Sequence, residues 1–383
     1  MSDFSWLRSK TLTHTSRGRS PHGPAARRFR PRLELLESRE VPSTLTVTNN
    51  LDYATGSLRK EIWYAHSGDT IVFAPGLAHK TITLNWGELD IAKNLTIQGL
   101  GANELSISGN RNSRVFDVYP GVQVTLSGLT VNNGNDVGLT SESYPDYGGG
   151  GILNLGSLTI NSCALSNNTT VYRGGGIANY GTLTVNGSTL ARNVDYCDFT
   201  GGGGIDNAGG TTTLINCTLV GNWAFSYAHG GAISVEGGTT STLINCTVVG
   251  NVADYGAGGG IGVMNGAVVN LTNTIVAGNT AGTSPDISGA VATADHNLVG
   301  NATGSTGIVN GVNGNIVGSR YHVINALLGP LQNNGGPTQT MALLAGSPAI
   351  GHADNALAPA TDERGVKRLD EAGETTDIGA FEL

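Results

Sequence analysis

Gly174–Asn193 reads GGGIANYGTLTVNGSTLARN, Gly202–Asn222 reads GGGIDNAGGTTTLINCTLVGN, and Gly230–Asn251 reads GGAISVEGGTTSTLINCTVVGN. Each unit opens on a glycine turn, runs through a short β-branched segment and ends on asparagine. The isoleucines closing five such turns are Ile152, Ile177, Ile205, Ile233 and Ile261, at spacings of 25, 28, 28 and 28. The landmark asparagines are Asn133, Asn168, Asn193, Asn222, Asn251 and Asn279, at spacings of 35, 25, 29, 29 and 28. A fixed period of this length marks a stacked repeat. Segments such as Ser157–Ile160, Thr182–Val185, Thr212–Ile215 and Thr242–Ile244 are too short and too β-branched for helices. Three such strands per coil, stacked at the ~4.8 Å spacing of paired strands, bury a continuous apolar column. The L-x-x-L-x-L pattern of a leucine-rich repeat is absent. The expected fold is therefore all-β, a right-handed parallel β-helix.

Working outward, Ile71–Phe73, Thr81–Leu84, Leu95–Ile97, Leu105–Ile107, Val115–Val118 and Val122–Val131 read as less regular coils. Leu58, Ile62 and Ala65 recur at helical spacing, which predicts a short N-terminal capping helix over the open end of the rod. Asparagine tolerates the left-handed region and hydrogen-bonds neighbouring backbone, so the six landmark asparagines are expected to form a structural ladder. The glycines of the turns are expected to supply positive φ at the corners. The domain reading is a basic disordered export or targeting tail over 1–43, a capping segment over 44–80, the β-helix over 81–328 and a C-terminal capping module over 329–383.

Composition narrows the function classes. Charged residues make up 13% of the chain, and 58 glycines without a G-X-Y period exclude collagen. Residues 1–42 carry nine Lys/Arg against four Asp/Glu, whereas the remainder carries 12 against 25. An acidic body excludes nucleic acid as a partner, because phosphate binding needs a basic face. No apolar run is long enough for a transmembrane helix. Cys163, Cys217 and Cys246 share one register with Ser188 and Thr274, which predicts small buried side chains rather than a disulfide framework; Cys197 lies outside it.

The units GGGI then LTINSCALSNN, and GGAI then STLINCTVVGN, resemble the repeats of chlamydial polymorphic outer-membrane proteins and pectin-lyase-like β-helix proteins. GSLRKEIWYAHSGDTIVF (56–73) resembles an entry module that precedes many bacterial β-helices. GPLQNNGGPTQTMALLAGSPAI, TDERGVKR and DIGAFE, within 329–383, resemble the C-terminal module of choice-of-anchor Q proteins. RPRLELLESREVPS (30–43) is similar to an N-terminal motif of planctomycete exported proteins. These resemblances imply an extracellular or cell-envelope protein. His352 departs from the pattern, standing where an aspartate is usual after SPAI. No sorting signal follows DIGAFE, which points to release or to attachment through the N-terminal tail.

Chemistry concentrates between each landmark asparagine and the next glycine turn. These loops carry Tyr144, Tyr147, Tyr172, Tyr196, Phe199, Trp223, Phe225, Tyr227 and Tyr255. Equivalent loops stack, so these side chains are expected to form an aromatic stripe that binds the apolar faces of sugar rings. Packing of the same rings against the coil wall is the plainer role. Asp146, Arg173, Asp195, Asp198, His229 and Asp254 lie in the same loops. By resemblance to β-helix lyases, Arg173 near Asp146 and Asp195 suits a base with calcium-holding carboxylates, and paired carboxylates suit glycoside hydrolysis. Asp362, Arg364, Arg368 and Asp377 are expected to form structural ion pairs. His66, His79, His296 and His322 read as ordinary loop residues, and no metal site is assigned. The leading expectation is a non-catalytic, monomeric protein binding a polysaccharide or cell-envelope surface, with no cofactor. The alternatives are a polysaccharide lyase, with calcium, or a glycoside hydrolase in the same loops, and a purely structural envelope rod.

Overall fold

Strands alternate with turns so regularly that equivalent residues of successive coils sit on one another, and the chain is a parallel β-helix. The computed structural model describes residues 42–136, 148–198, 200–368 and 375–383. Three long ladders carry the coil. The first runs through Thr44–Val47, Asp69–Phe73, Leu95–Gln98, Gln123–Ser127, Ser157–Asn161, Thr182–Asn186, Thr211–Ile215, Thr240–Ile244 and Val268–Thr272. The second is ten strands long, from Lys80–Thr83 to Ile316–Val317. The third begins at Leu89–Ile91 and Phe116–Val118 and continues through Ile152–Asn154, Ile177–Asn179, Ile205–Asn207, Ile233–Val235 and Ile261–Val263. A fourth, short ladder of five strands joins Thr169–Thr170, Val194–Asp195, Trp223–Ala224, Val252–Ala257 and Thr280–Thr283. Pairing in all four is parallel.

Burial explains the repeat. Ile152, Ile177, Ile205, Ile233 and Ile261 are direct rung partners with no exposed surface. Each contributes about 1.5–3 kcal/mol by leaving water. The glycines before them do two jobs. Gly174 has φ 65°, a conformation that suits glycine, whereas Gly176 is needed because a Cβ there would lie 2.5 Å from the carbonyl oxygen of Gly204 on the next coil.

The asparagine ladder is shifted at its start. Asn168, Asn193, Asn222 and Asn251 each donate from Nδ2 to the Oδ1 of the next asparagine at 2.9 Å, and Asn279 donates to Asp286 at 2.9 Å. The left-handed residue lies one position earlier, at Asn167, Arg192, Gly221, Gly250 and Gly278. Asn133, with φ 49°, belongs to that earlier column. The ladder position on its coil is Gly134, whose N–H reaches Asn168 Oδ1 at 2.8 Å. A second column missed in the sequence runs through Asn154, Asn179 and Asn207, with side-chain bonds of 2.7 and 3.0 Å.

Cys163, Cys217 and Cys246 are fully buried at the turn between the first and second ladders. Ser188 Oγ accepts from Cys163 N at 3.0 Å, and Thr274 Oγ1 from Cys246 N at 3.2 Å, so the hydroxyls in this register serve the backbone of the preceding coil. Burial pushes the Cys163 thiol up to about 12, leaving it unreactive.

Helix α1, Leu58–Tyr64, is capped by Ser57 and packs against the first rungs of the first and third ladders, burying Leu58 and Ile62. The solenoid begins at Thr44, inside the segment expected to be a cap, because Thr44–Val47 pairs with Asp69–Phe73. Residues 329–383 were expected to close the end of the rod; their described part lies instead along the outside of the second ladder. Thr189 Oγ1 donates to Gln339 O at 2.6 Å, Thr218 Oγ1 to Glu363 Oε2 at 2.5 Å, and Thr247 Oγ1 accepts from Ala380 N at 3.0 Å. These threonines are successive rung partners. Ile275 and Leu298 on the ladder pack with Leu343, Ile378 and Phe381 as a second apolar core. The physical reason is the apolar outer face of the last coils, which needs a cover.

Candidate functional site

The loops between the second and third ladders are held in step by backbone bonds from coil to coil. Tyr196 N donates to Thr170 O, Phe225 N to Asp195 O, Tyr227 N to Asp198 O and Tyr255 N to Ser226 O, at 2.7–3.1 Å. This places the aromatic side chains beside one another. Tyr196 and Phe225 have centroids 5.9 Å apart, Trp223 and Phe225 5.7 Å, and Tyr227 and Tyr255 5.9 Å. Tyr227 and Tyr255 are 59% and 69% exposed, so these rings face solvent more than the coil wall. Trp223 is half-buried and its Nε1 is shut away from solvent without a partner, which makes it a packing residue under Phe225. Tyr172 is half-buried. Tyr144, Asp146, Tyr147 and Phe199 lie outside the described residues.

Among the described residues, Arg173 and Asp195 take separate partners. Asp195 is fully buried and accepts from Gly174 N at 3.2 Å and Cys197 N at 2.8 Å, fastening the loops; burial holds its pKa well above the usual carboxylate range. Arg173 turns to the outer face of the third ladder, where its Nη1 lies 2.7 Å from Glu236 and 3.4 Å from Asp206. Burial opposes its charge, but the Asp206 charge and the Glu236 hydrogen bond outweigh it and raise the Arg173 pKa. Ser234 Oγ donates to Glu236 at 3.2 Å, and burial lowers the pKa of nearby His229. Asp206 and Glu236 escaped the sequence reading, although an acid directly after GGGI is a usable signal. Asp198 is exposed and Asp254 half-buried.

A second charged group lies on the same ladder, nearer the N-terminus. Asp90 and Asp117 are rung partners, and with Glu88 their carboxylate oxygens lie within 4.8 Å of one another beside Arg114. Asp295, His296 and Asp354 likewise lie within 4.8 Å, so His296 has two ligand-type companions that sequence spacing did not reveal. Among the described residues, these two groups bring together donors suited to a metal. In the C-terminal segment Arg364 pairs with Asp362 at 2.8 Å and Arg368 with Glu382 at 2.9 Å. A shallow trough of about 440 Å³ lies at the next corner of the coil, with Tyr180 on one side and Gly209, Gly210, Gly237 and Gly238 among its lining residues.

Burial, reinforced by neighbouring charge, pushes Asp117 and Asp206 to about 7, burial alone takes Asp286 to about 6, and burial with Asp377 takes Glu382 to about 7. Unfolded carboxyls titrate near 3.9–4.3, so between roughly pH 4 and pH 7 the folded chain holds more protons and stability falls as pH rises. The thermal midpoint is expected to be higher at pH 5 than at pH 8, and Asp206→Asn should flatten the slope. A midpoint that rises toward pH 8 contradicts this.

The ladders and their loops define a parallel β-solenoid presenting an aromatic corner. No family model matches the chain, and no curated protein matches it. Among solved structures it is similar to the crystal structure of pectate lyase Pel9A, with a TM-score of 0.41 and 15% identity over 89% of this chain and 96% of that one. Among the described residues no helix is long and apolar enough to cross a membrane.

Proposed function

We propose that the protein is a non-catalytic, monomeric glycan-binding solenoid of the cell surface or extracellular space, holding a polysaccharide along its aromatic corner. The observation that carries this reading is two pairs of exposed rings, Tyr196 with Phe225 and Tyr227 with Tyr255, each brought together by equivalent loops of successive coils. Aromatic faces beside polar groups suit the apolar faces and hydroxyls of pyranose rings. The extracellular setting is supported by the resemblance of the two terminal segments to exported proteins. A lyase reading would need Arg173 as a base, and its two carboxylate partners hold that guanidinium protonated.

The test is binding of polygalacturonate, xylan and dextran, an anionic and two neutral polymers, followed by assay for cleavage with and without calcium. Binding without cleavage is expected. Tyr227→Ala combined with Tyr255→Ala should weaken it about tenfold, the equivalent of ~1.4 kcal/mol, without lowering the melting midpoint. Cleavage overturns the non-catalytic reading, and failure of all three polymers to bind leaves a structural rod.

A further inference from the structure

The turn joining the second and third ladders on the first coil, residues 84–88, carries Trp86, which is 74% exposed. Its backbone is clamped. Asp52 Oδ2 accepts from Asn85 N at 2.6 Å and Trp86 N at 2.8 Å. Arg59, from helix α1, binds Asp52 Oδ1 at 2.8 Å and donates to Glu88 O and Gly87 O at 2.6 Å each. A largely buried ion pair and four further hydrogen bonds thus fix a short turn whose largest side chain points into water. Tyr53 stands beside it, ring centroids 6.0 Å apart at 45°, with Lys60 Nζ 4.0 Å from the Tyr53 centroid. Asn85, next to Trp86, is exposed and accepts at Oδ1 from Asn110 Nδ2 at 3.3 Å, while Leu51, beside Asp52, adds exposed apolar surface. Rigid, exposed aromatic faces with amide groups beside them suit stacking on, and hydrogen bonding to, a sugar chain.

On later coils the same connection, from second to third ladder, is the one that carries Tyr196, Phe225, Tyr227 and Tyr255. Trp86 and Tyr255 are therefore at one corner of the rod, six coils apart, or about 29 Å at the strand spacing. We infer that Trp86 and Tyr53 form a second sugar-stacking platform in line with the aromatic loops, so that the ligand is an extended polysaccharide bound at both points rather than a short oligosaccharide. This rests on the glycan-binding reading and specifies its ligand.

Two linked contacts raise affinity only for a ligand long enough to reach both. The experiment uses the full chain with polygalacturonate, xylan and dextran, and with trisaccharides of the same sugars. Polymer is expected to bind at least tenfold more tightly per chain than trisaccharide. Trp86→Ala should weaken polymer binding at least fivefold, with Tyr227→Ala in the same chain weakening it further. Tyr53→Ala carries the same test if Trp86→Ala lowers the melting midpoint. Unchanged polymer affinity in a folded Trp86→Ala or Tyr53→Ala variant, with Tyr227→Ala still weakening it, overturns this inference and leaves the glycan reading standing. Absence of binding by the wild-type chain overturns both.

Discussion

Asn222→Ala is expected to lower the unfolding free energy by about 3–6 kcal/mol, from several buried polar groups losing partners at about 1–3 kcal/mol each. Asn222 Nδ2 donates to Leu190 O at 3.0 Å and Asn251 Oδ1 at 2.9 Å, while its Oδ1 accepts from Asn193 N at 3.1 Å and Asn193 Nδ2 at 2.9 Å. Alanine strands all of these in a site with no exposed surface. Each coil leans mainly on its neighbours, so the damage should centre on the coils around residues 190–251 and show there first in hydrogen exchange. Asn133→Ala is the control: its side chain makes only contacts of 3.2 and 3.5 Å and lies outside the ladder, so its loss should stay near 1 kcal/mol or below. Denaturant unfolding of both variants decides the matter, and equal losses would contradict the one-residue shift of the ladder.

Arg368→Met should have an effect of similar size at the other interface. Arg368 is 3% exposed and binds Glu382 at 2.9 Å, Asn216 Oδ1 at 2.9 Å and Gly379 O at 2.8 Å, tying the C-terminal segment to the turn between the first and second ladders. Removing one partner of such a pair costs about 3–5 kcal/mol because the other charge stays behind, here Glu382 beside Asp377. Release of the segment would uncover Ile275 and Leu298. Faster proteolysis around residues 319–327 and a lower melting midpoint are the expected signs. Glu382→Leu added to Arg368→Met should recover part of the loss, since the Glu382 carboxylate is then no longer left without its partner. Wild-type protease resistance in the single variant would mean that the apolar contacts and the threonine hydrogen bonds hold the segment without Arg368.

These two variants also separate the local from the long-range content of the chain. The 28-residue spacing of Ile177, Ile205, Ile233 and Ile261, together with the shared register of Cys163, Ser188, Cys217, Cys246 and Thr274, was sufficient to specify which residues stack on which. A repeat period is a statement about nearest neighbours along the rod axis, and backbone pairing enforces it. The corner bearing the aromatic loops follows from the same periodicity.

What the period cannot express is any contact that leaves the stacking direction. Asn133 and Gly134 are both acceptable in an asparagine-rich turn, and only the left-handed φ of Asn133 shifts the ladder to its neighbour. Arg173 reaches Asp206 and Glu236, 33 and 63 residues away, because its loop folds over the third ladder. Trp86 joins the aromatic corner through a clamp made by Asp52 and Arg59, which belong to no repeat. The C-terminal segment found the outside of the second ladder because Ile275 and Leu298 leave an apolar face there. Sequence by itself thus determined the coil and its registers, through short-range pairing and burial; tertiary structure decided the charge partners and the docking of the ends, through loop paths that no periodicity encodes.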